Sequence, residues 1–372
     1  MPACLPEAMA SVKGNQGKST PFTPLHLHKD RPMFWFSIAS LTPPVLIGLA
    51  SLWGGVWSWA ALGSMSVLVL VLDRIGQRAQ NQTGARGAEA LQVALALAHF
   101  ALLLPVATSL PRIGWNGAIP LVLAQGLFMG QISHPNAHEL IHRPTRALRR
   151  LGVLVYATML IGHHASAHLK VHHVHVATPQ DPNTARRGEG FYRFLPRAWI
   201  GSFRAGLTAE NAARQRKQVP PSTLSHPYLA YIVIALLCCA AAYLAGGVVA
   251  LILFLFATAH AQMQIFLADY VQHYGLLRQT RDTGRPVPVG PQHSWNAPHW
   301  YSSAMMLNAP RHSDHHVVPA RRFPELRLTP DMPTLPHSLP VMGAIALIPS
   351  LWRRKMGREL AKLSGKRSEG LD

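Results

Sequence analysis

The chain has 372 residues, of which 49% are hydrophobic and only 14% charged, and a formal net charge of +19. It is too apolar for an average soluble domain. The positive charge invites a nucleic-acid reading, but its distribution along the chain excludes that: the basic residues fall between apolar runs in the pattern of a membrane protein.

In chain order, residues 1–30 lack the charged-then-apolar order of a secretory signal and read as a flexible tail. Six stretches then approach the roughly 20 apolar residues that a bilayer span needs. They lie at about 33–52, 56–72, 91–110, 117–133, 228–245 and 247–267. The second and fourth are short. A shorter apolar stretch at 151–162 reads as re-entrant or interfacial, as does 339–351 with Pro340 and Pro349. Residues 352–372, rich in Lys and Arg, read as a solvated basic helical tail, which leaves 31–351 as one membrane domain.

With a cytoplasmic N-terminus and six spans, the loops on the far side carry one basic residue, Arg112. All other Lys and Arg, including Arg74, Arg78 and Arg86, fall on the cytoplasmic side, a strong positive-inside asymmetry. A basic face of this kind suits anionic lipid headgroups and the docking of an acidic electron-transfer protein. Cysteine is scarce. Cys238 and Cys239 sit inside a span, and no CxxC pair is present to hold a fused rubredoxin or iron–sulfur centre.

Nine of the 21 histidines stand out. His138 and His142 lie in HELIH, His168, His172 and His173 in HLKVHH, and His312, His315 and His316 in HSDHH; His273 stands alone in DYVQHYGLLR. Residues at i, i+3 and i+4 of a helix share a face, and an adjacent residue is turned by about 100° toward a second point. Neutral imidazole is the commonest protein ligand for a redox metal. Nine are too many for one ion and suit two, with four or five each. The six-span topology puts all nine on the cytoplasmic face, so they are free to converge. All-imidazole ligation fits iron better than magnesium or another hard ion. Glu139, Asp181, Asp269 and Asp314 are the nearest carboxylates and are candidates to hold the outward nitrogen of a ligand. His134, His163, His164 and His175 flank the boxes as possible substitutes, and His293 and His299 bracket Ser294, Trp295 and Asn296 as possible supporting groups.

Taken together, these boxes resemble the membrane-bound alkane 1-monooxygenase and xylene monooxygenase family, within the histidine-box desaturase–hydroxylase superfamily. The likeness extends to HVATPQDPNTARRGEGFYRFLPR (175–197), QHYGLLR (272–278), HSWN (293–296), RHSDHH (311–316), RRFPELR and MPTLPHSLP (332–340), in that order, and covers roughly residues 30–355. It implies an all-α integral membrane protein of about six transmembrane helices with a cytoplasmic histidine-rich di-iron cap in the inner membrane. The nine histidines would be the ligands of two non-haem irons. The implied reaction hydroxylates a terminal or methyl C–H bond of a hydrocarbon from the bilayer, most readily an n-alkane to its primary alcohol. It would use O2 and electrons from a rubredoxin- or ferredoxin-type carrier with its reductase; no nucleic acid is implied. Arg143 stands where the alkane pattern has lysine, Ala167 where it has glutamate, and Asp269 and Gln272 where Asn and Glu are expected. These departures leave alkane and methyl-aromatic substrates both open.

Three other readings compete. A fatty-acyl desaturase uses closely similar boxes. HELIH alone matches the HExxH helix of a zinc protease with Glu139 as general base, but such an enzyme needs one further ligand, not seven clustered histidines. A metal transporter would distribute ionisable residues along a pore, whereas these gather at one face.

Overall fold

The computed structural model describes residues 32–76, 78–218 and 224–369; the expected tail at 1–30 lies outside them. Among the described residues the structure is helical throughout, with only isolated β-bridges between loops. Four helices are long and apolar enough to cross a membrane: Met33–Trp53, Ala88–Ala107, Leu110–Ile141 and Pro227–His273. A pair bent by 42°, Val56–Ser64 and Val67–Ile75, makes a fifth if taken as one span. In chain order the first elements are α1 (Pro32–Trp53), α2 (Val56–Ser64), α3 (Val67–Ile75), α4 (Ala88–Ala107) and α5 (Leu110–Phe128). A π-helical turn, Met129–Ser133, then carries α5 into α6 (His134–Ile141).

The 47-residue helix α11 (Pro227–His273) is interrupted at Gly246 and Gly247, the latter with φ 68°. Two contacts show that it doubles back there. Tyr231 packs against Gly162, where a Cβ would stand 2.8 Å from its ring. Gln262 donates to the Met159 carbonyl at 3.0 Å. On a straight helix residues 231 and 262 would be about 46 Å apart, so they could not both reach neighbouring turns. Ala242, Ala250 and Phe254 accordingly share one small core with Ala107. Only glycine takes the left-handed backbone at the tip without strain.

Three tips meet at this end of the bundle. Gly54, between α1 and α2, lies against Ile113 at the start of α5, and Gly246 lies against Thr108 between α4 and α5. Arg112, the one basic residue assigned to the far side, donates through Nη2 to the Ser51 carbonyl at 3.1 Å. The opposite end carries the remaining elements: α7 (Arg146–Thr158), α8 (His163–Ala167), a second π-helical turn (His168–His172), α9 (His173–His175) and α10 (Phe191–Arg216). It also carries α12 (Trp300–Met305), α13 (His312–Val317), α14 (Leu339–Ala346) and α15 (Pro349–Glu369). The foot of α3 docks into this layer, where Asp73 Oδ1 accepts the backbone N–H groups of Tyr301 and Ser302 at 3.1 and 3.0 Å.

The segment expected to be a solvated tail behaves differently. Within α15, Trp352, Met356 and Leu360 are buried, and the Trp352 ring lies 5.2 Å from those of Tyr270 and Tyr274. Its apolar residues recur at i, i+4 and i+8, so one face seats in the cap while Arg353 and Arg354 stay exposed.

Candidate metal centre

Two groups of histidines, each able to hold a metal ion, converge in the cap. The first contains His138, His142, His168, His173 and His315; the second contains His172, His273, His312 and His316. Within each group the candidate donor atoms lie within 4.8 Å of one another. The groups adjoin: the rings of His173 and His316 are 4.8 Å apart.

Local helix geometry decides which histidine faces which group. In HLKVHH a regular α-helix would pair His168 with His172. The π-helical turn His168–His172 has i→i+5 hydrogen bonds and a wider turn, so His168 pairs with His173 instead, Nε2 to Nε2 at 2.9 Å. His172 is left facing the second group. In α13 the i, i+4 pair His312 and His316 shares one group, and His315 turns to the other.

The nitrogen separations test whether metal ions fit. Nε2 atoms face one another at 3.2 Å (His142 and His168), 3.1 Å (His173 and His315), 2.9 Å (His273 and His312) and 3.1 Å (His312 and His316). Donors bound at about 2.1 Å and at right angles around one ion are about 3.0 Å apart. Such a set cannot satisfy all its lone pairs by mutual hydrogen bonding, and the buried Nε2 atoms of His138 and His172 have no partner at all. An unpaired buried polar atom costs about 1–3 kcal/mol, and a cation at each centre removes that cost. Burial also keeps these imidazoles in the neutral, ligating form. It lowers His142 to about 3 and holds His168, His173, His312, His315 and His316 well below the usual imidazole range.

The four carboxylates divide by partner. Asp181 Oδ2 accepts from His172 Nδ1 at 2.9 Å and from the Thr184 hydroxyl at 2.7 Å, so it fixes the tautomer that aims Nε2 inward. Burial pushes His172 down, but the Asp181 charge and hydrogen bond outweigh it and the net shift is upward. Asp269 stands one step further out, accepting from Asn183 Nδ2 at 2.7 Å. The Asn183 N–H in turn donates to Asp181 Oδ1 at 3.0 Å. Glu139 and Asp314 touch no histidine nitrogen. Glu139 Oε2 accepts from Arg143 at 3.2 Å and from the Phe323 N–H at 3.1 Å, and the gathering of His138 and His142 with three further histidines, where a zinc protease needs one further ligand, weighs against the protease reading of HELIH. Asp314 is held by Arg321 at 2.5 Å and by the Arg327 N–H at 2.8 Å.

Other flanking histidines lie outside both groups. His134 bonds the Tyr156 hydroxyl through Nδ1 at 3.0 Å, and His164 stacks on His168 with ring centroids 5.5 Å apart. His163 packs on Trp199 and Phe203. His99, buried within α4, bonds Ser133 and Thr158 at 3.0 and 2.9 Å, a helix-to-helix role. Within HSWN, Ser294 approaches His273 Nδ1 at 3.5 Å, and Asn296 accepts the Ser313 N–H at 3.0 Å. Asn183 and Arg311, both buried, are the residues that motif reading passed over. Asp181-Pro182-Asn183-Thr184 is a turn-forming run, and that was the only signal for Asn183.

The family model described as fatty acid desaturase matches residues 113–345. The chain belongs to that family, in its alkane monooxygenase branch. Alkane 1-monooxygenase 2 of Pseudomonas aeruginosa is 30% identical over 336 residues, 87% of this chain and 86% of its own. Alkane 1-monooxygenase 1 of Alcanivorax borkumensis is 36% identical over 262 residues, 69% and 64% of the two chains. The xylene/toluene monooxygenase hydroxylase component XylM of Pseudomonas putida is 28% identical over 337 residues, 86% of each. The protein is therefore an oxidoreductase of a membrane metalloenzyme family.

Proposed function

We propose that the protein is a di-iron monooxygenase that hydroxylates a terminal or methyl C–H bond of a hydrocarbon, most readily an n-alkane to its primary alcohol. The observation that carries this reading is the pair of all-histidine groups, five and four, at the base of an apolar bundle in a chain similar to alkane 1-monooxygenases over most of its length. His138, His142, His168, His173 and His315 would hold one iron, and His172, His273, His312 and His316 the other. When bound, the irons supply reductive activation of O2 for C–H hydroxylation.

The protein's own residues orient and enclose. Asp181 keeps His172 in register, and burial of most of the nine rings excludes water. A cavity of about 70 Å3, lined by Gly130, Gln131, Gln264, Leu267, Val271 and Met306, lies beside the last turns of α11, and its small volume suits the end of a slender chain. Counting each arm of the α11 hairpin and the bent α2–α3 pair once gives six passes. The charge asymmetry supports a reading in which the metal cap lies on the cytoplasmic side of the inner membrane. Electrons would come from a rubredoxin- or ferredoxin-type carrier. His142 and His173 are the half-buried members of the nine, and Val174 and Val317, next to His173 and His316, are exposed at 54% and 42%. That apolar spot among arginines suits an acidic carrier with an apolar patch over its redox centre.

The test is product analysis by gas chromatography. Cells expressing the chain with a rubredoxin and its reductase would be offered octane, hexadecane, para-xylene and a saturated fatty acid together. A primary alcohol from one hydrocarbon supports the reading and chooses between alkane and methyl-aromatic preference. The family model's own description favours one second reading, a fatty-acyl desaturase, and an unsaturated acyl product without alcohol would establish it instead.

A further inference from the structure

The third histidine box sits on α13, a helix of six residues, His312–Val317. Like the π-helical turn His168–His172, it serves both groups from one short helix: His315 in the five, His312 and His316 in the four. A helix this short has almost no internal hydrogen bonds, since four N–H groups and four carbonyls at its ends are unpaired by construction. It cannot fix its own register. Whatever holds its first turn therefore sets two metal centres at once.

Asp314, held by Arg321 and the Arg327 N–H, is one anchor, and two further side chains fasten the start of the helix. Asn296 accepts the Ser313 N–H at 3.0 Å and donates to the Ser313 hydroxyl at 2.7 Å and the Pro333 carbonyl at 3.0 Å. Arg311, immediately before His312, is 1% exposed yet carries a full guanidinium. Its Nη1 donates to Asn81 Oδ1 at 2.8 Å and the Leu326 carbonyl at 2.5 Å. Its Nη2 donates to the carbonyls of Ala79 and Gln80 at 3.0 and 2.7 Å. Asn81 also ties the other flank, accepting the Leu328 N–H at 2.9 Å and donating to the Leu328 carbonyl at 3.2 Å. The loop between α3 and α4 thus grips α13 through one planar fork.

We infer that Arg311 is a positioning residue for both metal centres, and that it works by fastening α13 to the loop at residues 79–81, with Asn81 as the reciprocal contact. A planar five-donor fork reaches four acceptors on two segments at once, whereas a lysine ammonium is a single point with three donors. Charge alone would not substitute. The proposal rests on the reading of the two histidine groups as metal sites. It predicts something that reading does not: an exposed loop residue 231 positions before His312 tunes the metals.

The experiment uses the full chain in detergent, as wild type, Arg311→Lys and Asn81→Ala, each loaded anaerobically with ferrous iron. Iron bound per chain and the Mössbauer spectrum are recorded, with the melting temperature of each metal-free protein beside them. The expected result is about 10-fold weaker iron binding in Arg311→Lys, the order found when an outer hydrogen-bond partner of a ligand is lost. Its quadrupole-split lines should broaden at both sites. Asn81→Ala should show the same spectral change with a smaller loss of affinity. Wild-type affinity and spectrum in Arg311→Lys would overturn the proposal. If Arg311→Lys does not fold, Asn81→Ala decides, because that residue is exposed: an unchanged spectrum there, with or without a lower melting temperature, overturns it. Failure of the wild type itself to bind iron would remove the metal-site reading, and this proposal with it.

Discussion

The two histidine groups are built differently although the same two segments, 168–173 and 312–316, supply three members of each. The four-histidine group is wholly buried and two of its members are backed by partners, Asp181 on His172 and the His293 backbone and Ser294 on His273, with Asn183 and Asp269 behind, while His316 Nδ1 has none. The five-histidine group has two half-buried members, His142 and His173, and the outward Nδ1 atoms of His168, His173 and His315 have no partner. One centre is held by its outer hydrogen bonds; the other is held by having one more donor and faces the solvent edge. The difference teaches that ligand number and outer support substitute for one another.

Ligand deletion has the largest expected effect on this contrast. Both His316→Ala and His315→Ala should abolish hydroxylation, but His316→Ala leaves three donors and should lose its iron, whereas His315→Ala leaves four and should retain most of it. Iron counting on purified protein checks this, and equal losses would show that the two groups are alike in robustness. Next comes Asp181→Asn, which turns the acceptor of the His172 proton into an amide. It should weaken iron at the four-histidine centre about 10- to 100-fold and leave the other Mössbauer component in place; a change in the five-histidine component alone would contradict the division of outer support.

A smaller effect concerns the metal-free protein. The imidazoles of His142, His168, His173, His312, His315 and His316 are held below their ordinary range by burial. The unfolded chain therefore binds more protons than the folded one below about pH 6.5, and stability is present above that pH and lost as pH falls through it. His172, raised by Asp181, opposes the trend. The melting temperature of metal-free protein should drop between pH 7.5 and 5.5, and a flat profile would mean that these rings are hydrated. The smallest effect expected is kinetic. Arg146, Arg149 and Arg150 lie along α7 beside the first box. Their joint change to Glu should slow reduction by an acidic carrier at low salt while leaving hydrocarbon affinity unchanged. An unaltered, salt-sensitive reduction rate in the variant would place docking elsewhere.

Much of this was legible without coordinates. The apolar runs announced the bundle, because span length is set by bilayer thickness and reads off composition. The break between the apolar runs at 228–245 and 247–267 agrees with the hairpin, and the count of nine histidines suited two groups with four or five each. Boundaries were less legible. The run expected at 117–133 extends as helix over Leu110–Ile141 because a π-helical turn carries it without interruption into the first box. The basic residues of 352–372 obscured the apolar face that seats α15.

The sequence by itself supplied nine candidate donors, three boxes with histidines at helical spacing and one further histidine, each box able to present its imidazoles in a shared direction. It also determined which end of the bundle they occupy, through the parity of the apolar runs. Tertiary structure alone decided how the donors divide. A π-helical turn rather than an α-helical one sends His172 away from His168, and no spacing rule announces that choice. It also decided which carboxylates serve the site. Asp181 reaches a ligand while Glu139, inside the first box, is turned to Arg143 and Phe323. The reason is common to both: spacing fixes direction only within one helix, and these contacts depend on where distant segments bring their backbone N–H groups and guanidinium forks.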